Sequence, residues 1–83
     1  MLTFEYNEND ATLEVFFDAQ GRRQLISVLE RIQAPGDHEH LMTPSWSGYE
    51  LSEKVHSKDN KYLNMVTLGM PHKSGDTNHA AGF

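Results

Sequence analysis

His38 and His40 are the residues whose spacing first suggests chemistry. Two residues apart in an extended segment, their imidazoles share one face and could reach a single metal ion, with Glu39 pointing away. A zinc site needs three or four ligands. His56, His72 or Glu53 would have to supply the rest, and the spacing matches no metal motif. A small metal-binding domain or hydrolase built on His38 and His40 is therefore a rival reading, and no metal ligand is assigned. Ser45, Ser47 and Ser52 are candidate nucleophiles by type alone. None sits in a Gly-x-Ser-x-Gly elbow, and the acidic residues form no distinctive pair. The chain has no Gly-rich phosphate loop, no dinucleotide fingerprint and no cysteine. No catalytic residue and no cofactor site is assigned, and the chain reads as a non-enzyme. Trp46, the single tryptophan, lies between two serines. It is either an anchor folding its loop onto the core or an exposed interface residue.

The elements that would position these residues begin with an alternating run. Leu2, Phe4 and Tyr6 share one face, and Thr3 and Glu5 the other. Asn7-Glu8-Asn9-Asp10 favours a tight turn, and residues 12–17 alternate again, which predicts a β-hairpin. Asp18 occupies a helix N-cap position. Leu25, Ile26, Val28, Leu29 and Ile32 then form an apolar stripe at helical spacing, and Pro35-Gly36 ends the helix, which spans about residues 19–34. This stripe is expected to pack on Leu2, Phe4, Tyr6, Leu13, Val15 and Phe17, with Leu29 in the core.

The second half is less regular. Residues 38–43 read as a third strand, Pro44–Gly48 as a loop or a break, Tyr49–Ser52 as resumed extension, and Tyr62–Leu68 as the last strand. The expected fold is α+β: a small, mostly antiparallel sheet of about four to five strands with one amphipathic helix packed on one face. One domain covers residues 1–70, and residues 71–83 form a polar tail expected to be flexible. A single helix covers a single face, so the other face, carrying Phe16, either stays open for a partner or is covered by Pro44–Lys54.

With 83 residues there is little room for both a core and a deep substrate cavity. The formal net charge of -5 disfavours nucleic acid and favours a basic protein partner. No run is long enough to span a bilayer and the first residues do not read as a secretory signal, so a cytoplasmic protein without membrane contact is expected.

The stretch His38-Glu39-His40-Leu41-Met42-Thr43-Pro44-Ser45-Trp46-Ser47-Gly48-Tyr49-Glu50-Leu51-Ser52 resembles the His-Leu-Met-Thr-Pro-Ser-Trp-x-Gly-x-Glu-Leu core of the bacterial immunity protein 32 family. The opening Leu2-Thr3-Phe4-Glu5-Tyr6-Asn7-Glu8-Asn9-Asp10, followed by Leu13-Glu14-Val15, is similar too, and the resemblance covers about residues 1–68. It implies an antidote that binds and neutralises a cognate toxin acting in the cytosol. It brings neither a toxin identity nor a mapped contact surface. The partner-binding candidates are Glu14 and Phe16 on the outer sheet face, Trp46 and Tyr49 in the motif, and Glu50 and Glu53 at its end. A self-associating structural or regulatory module, forming a homodimer through the open sheet face, is the other rival.

Overall fold

A computed structural model describes residues 1–72 of the chain. Strand β1 (Leu2–Asn7) and strand β2 (Thr12–Phe17) form the expected hairpin, in antiparallel register from Leu2 opposite Phe17 to Asn7 opposite Thr12. Its turn is built from side chains. Asn7 Oδ1 accepts from the Asn9 amide at 2.9 Å, and Asp10 Oδ1 accepts from the Thr12 hydroxyl at 2.7 Å.

Helix α1 (Ala19–Arg31) begins at Asp18, whose carboxylate accepts from the Gly21 amide at 2.8 Å. Beyond its end, Asp37 Oδ2 accepts from the amides of Gln33 and Ala34 at 3.0 and 3.1 Å, which closes the Pro35-Gly36 turn. Gly36 there has φ 96°, a left-handed conformation that glycine adopts without steric cost. Strand β3 (His38–Met42), a 3-10 turn (Pro44–Trp46), strand β4 (Lys61–Tyr62) and strand β5 (Met65–Gly69) complete the order.

The fold is α+β, and its five strands divide into two antiparallel sheets. One has the order β2-β1-β4, and the other pairs β3 with β5. The single last strand expected over Tyr62–Leu68 thus splits between the two sheets. Leu63 still donates its amide to the Phe4 carbonyl at 2.8 Å, while the Asn64 carbonyl turns to accept from Thr43 at 3.0 Å.

The core lies between the sheets and the helix. Leu2, Phe4, Val28, Leu41 and Leu51 are buried, with Val15, Leu25, Ile32, Leu63, Val66 and Leu68 packed around them. Leu29 is not among them: it is 53% exposed. Glycine at position 21 lets the helix backbone sit against the Met1 carbonyl, where a Cβ would come within 1.8 Å. That close approach points the Gly21-Leu25-Val28-Ile32 stripe at the sheet and turns Leu29 and Ile26 onto a flank.

The outer face of the three-stranded sheet is also not open. The segment His56–Asn60 folds over it, and Thr3 and Glu5 are fully buried. Covering comes from the residues just after Pro44–Lys54. The tail expected over residues 71–83 lies outside the described residues from position 73 onward. No helix among the described residues is long and apolar enough to cross a membrane.

Candidate functional site

Residues Thr43–Glu53 form a loop whose backbone is fixed from within. Thr43, fully buried, donates its hydroxyl to Asn64 Oδ1 at 2.7 Å, and its carbonyl accepts from the amides of Trp46 and Gly48, each at 2.9 Å. Glu53 Oε2 accepts from the Ser45 amide at 2.8 Å, at the start of the 3-10 turn. The Ser45 hydroxyl and amide hold the Glu53 carboxyl below the usual carboxylate range, against the opposing effect of desolvation. Glu50 Oε1 accepts from the Met42 amide at 3.0 Å, and the Leu51 amide donates to the Met42 carbonyl at 3.1 Å.

Two backbone features shape the tip. Ser47 adopts a left-handed conformation with φ 67°, which costs a non-glycine residue about 1 kcal/mol and persists only where its surroundings enforce it. Gly48 lies against Met42, where a Cβ would come within 2.5 Å of the carbonyl oxygen. The anchor of the loop is Leu51, in the core.

Trp46 is 52% exposed and Tyr49 is 86% exposed. Trp46 is thus not the anchor that folds its loop onto the core; Leu51 and Thr43 hold the loop down. Beside the tip, a cleft of about 390 Å³ runs between α1 and the loop, lined by Gln20, Gln24, Ser27, Val28, Arg31, Tyr49 and Glu50. Arg31 leans across to Glu39 of β3 at 3.1 Å. The loop therefore presents two exposed aromatic side chains on a fixed backbone, next to a polar cleft.

Glu50 and Glu53 do join Trp46 and Tyr49 here, but their carboxylates serve the loop's own amides. Glu14 and Phe16 lie elsewhere, on the outer sheet face. There Glu5, fully buried, accepts from the Thr3 hydroxyl at 2.8 Å, His56 Nδ1 at 2.8 Å, the His56 amide at 3.0 Å and Asn60 Nδ2 at 2.9 Å. Asn60 Nδ2 also donates to Glu14 Oε1 at 2.8 Å, bridging two carboxylates that face each other across the hairpin. The His56 ring lies over Phe16, with centroids 5.0 Å apart. Burial pushes the Glu5 carboxyl up, but hydrogen bonds from Asn60, His56 and Thr3 outweigh it and bring it to about 2. The arrangement clamps a loop onto a sheet and uses Glu14 and Phe16 in doing so.

His38 and His40 share a face of β3 with ring centroids 5.0 Å apart. His38 Nδ1 donates to the Gly36 carbonyl, and His40 Nδ1 lies 2.9 Å from the Thr67 hydroxyl oxygen. No group of three or more His, Asp or Glu that could hold a metal ion occurs among the described residues.

Sequence reasoning missed Glu5 and Asn60, and considered His56 only as a metal ligand. Glu5 alternates with apolar residues and reads as solvent-facing, and nothing local signals that a segment 51 residues away will cover it. It also missed the cleft residues of α1, whose polar types look like an ordinary solvated face. Comparison of the chain with family models, with curated proteins and with solved structures finds no match.

Proposed function

We propose that this protein is an immunity-type antidote that binds and neutralises a cognate bacterial toxin in the cytosol, using the Trp46–Tyr49 loop and the adjoining cleft as its contact surface. The observation that carries the reading is the construction of the loop. Buried Thr43, Leu51 and the Glu50 and Glu53 carboxylates fix its backbone, yet its two aromatic side chains remain exposed. Ordering a loop ahead of binding lowers the entropic cost of association. The same residues form the stretch that resembles the immunity protein 32 family. The net charge of -5 favours a basic toxin, through faster encounter.

The test is co-expression with the product of the neighbouring gene. Rescue of growth from a toxic neighbour, with direct binding that Tyr49→Ala weakens, is the expected result. If the neighbour is toxic and this protein neither rescues growth nor binds it at micromolar concentration, the proposal fails for that pair.

A further inference from the structure

The strand β2 has a neighbour on one side only among the described residues. Its free backbone groups follow from the ladder. Phe4 accepts from the Leu63 amide and Leu2 accepts from the Ser52 amide, so both point their polar groups away from β2. Their partners in register are Val15 and Phe17, which in an antiparallel ladder must point away from β1 in turn. Leu13, two residues further along, does the same. The open edge therefore offers the N–H and C=O groups of Leu13, Val15 and Phe17.

Most of the usual protections of an edge strand are missing here, Glu14 being the one charged side chain on β2. Thr12–Phe17 contains no lysine, arginine, proline or glycine. The opposite edge of the sheet is different, since β4 is two residues long and carries Lys61, paired with Glu8 at 2.8 Å. Side chains at the β2 edge are apolar and uncovered: Leu13 is 55% exposed and Phe17 47%.

The helix adds to this patch. Its cleft side, with Gln24, Ser27 and Arg31, faces the Tyr49–Glu50 loop. That loop runs into Ser52, which docks on Leu2 from the side away from β2. At 3.6 residues per turn, Ile26 and Leu29 fall on the opposite flank, above the β2 edge. Both are exposed.

We propose that two copies of this chain pair antiparallel through the β2 edges, about a two-fold axis at Val15, with Leu13, Phe17, Ile26 and Leu29 closing between them. The strand is self-complementary in this register. Val15 faces Val15 of the second copy and Leu13 faces Phe17, and each opposed pair exchanges both backbone hydrogen bonds. The neighbouring register instead sets Glu14 against Glu14 at about 4.5 Å between Cα atoms, where like charges repel. Charge thus favours the register centred on Val15 over the one centred on Glu14. This surface and the Trp46–Tyr49 loop lie on opposite flanks of α1, so the dimer and the antidote reading stand or fall separately.

The experiment is sedimentation equilibrium of the full chain up to submillimolar concentration, with single-cysteine cross-linking. A monomer–dimer equilibrium is expected, strengthened by salt because both copies carry the same net charge. Leu13→Lys and Leu29→Glu, both at exposed positions, should each weaken it at least tenfold while circular dichroism stays native. In this cysteine-free chain, Val15→Cys should cross-link across the axis and Glu14→Cys should not. A chain that stays monomeric throughout, a dimer that Leu13→Lys leaves intact, or preferential cross-linking through Glu14→Cys overturns the proposal. So does a monomer that dimerises only after truncation at His72, since the edge would then belong to the tail.

Discussion

Replacing Glu5 with glutamine is the most demanding test of the outer-face clamp. The side chain keeps its shape, but one carboxylate oxygen becomes an NH2 group. One oxygen receives Asn60 Nδ2 and the His56 amide; the other receives the Thr3 hydroxyl and His56 Nδ1, with the His56 amide shared at 3.2 Å. If Oε1 becomes the NH2 group, the Asn60 and His56 N–H donors face another donor; if Oε2 does, the Thr3 hydroxyl and His56 Nδ1 must turn from donor to acceptor, and either way the charged acceptor is lost. A hydrogen bond to a charged acceptor contributes about 1.5–3 kcal/mol, and stranding a buried donor costs about 1–3 kcal/mol. The expected loss is about 3 kcal/mol, a large share of the roughly 4–12 kcal/mol available to a chain of this length. Urea unfolding at neutral pH measures it. The pH dependence gives an independent reading. The folded carboxyl titrates at about 2 instead of its ordinary 4.5, so the folded state binds fewer protons between those values. Its contribution is complete above about pH 4.5 and is lost as the pH falls toward about 2. The shift corresponds to about 3 kcal/mol at most, and because His56, half open to solvent, forms part of the cover, screening trims this to about 1–3 kcal/mol. Glu5→Gln should flatten that part of the wild-type acid limb. A variant within about 1 kcal/mol of wild type, with an unchanged acid limb, would refute the clamp.

Three further outcomes are expected. Leu29→Ala should cost less than about 1 kcal/mol in chemical denaturation, whereas Leu41→Ala, in the core, should cost about 2–5 kcal/mol. Gly48→Ala should destabilise by about 1–3 kcal/mol, because its Cβ meets a backbone carbonyl that cannot swing aside, and thermal melting will register this. Tyr49→Ala should leave stability within about 0.5 kcal/mol of wild type and weaken toxin binding by more than about 1 kcal/mol in calorimetry, which separates a contact residue from a structural one.

Local rules made the hairpin, the Asp18 cap, the helix and the strand over His38–Met42 readable, since alternation, capping and helical spacing are written within a few residues of each other. Glu5 was unreadable for the opposite reason: His56 and Asn60, which cover it, lie more than fifty residues away, and an alternating polar residue looks the same in solvent as under a covering loop. Leu29 was misplaced because the stripe in sequence is wider than the face that packs, and the rotation is set by one glycine meeting Met1. In the candidate site, the motif over Thr43–Glu53 stood out by composition. Its geometry did not, because composition does not say whether Trp46 or Leu51 holds the loop down.

The crossing of one extended segment between two sheets has a kinetic consequence. Lys61–Tyr62 completes the first sheet and Met65–Gly69 completes the second, only two residues later. The hairpin and helix can begin to form from the first half of the chain, but neither sheet reaches its final strand count before this segment arrives. Contacts between residues so far apart in sequence slow folding, because a long loop must close before they form. On the ribosome, the N-terminal half would wait with Glu5 still solvated and the Leu2 and Phe4 backbones unpaired on one side. Docking of residues 56–69 then closes the clamp, both sheets and the core together, a single late step that should dominate the refolding rate.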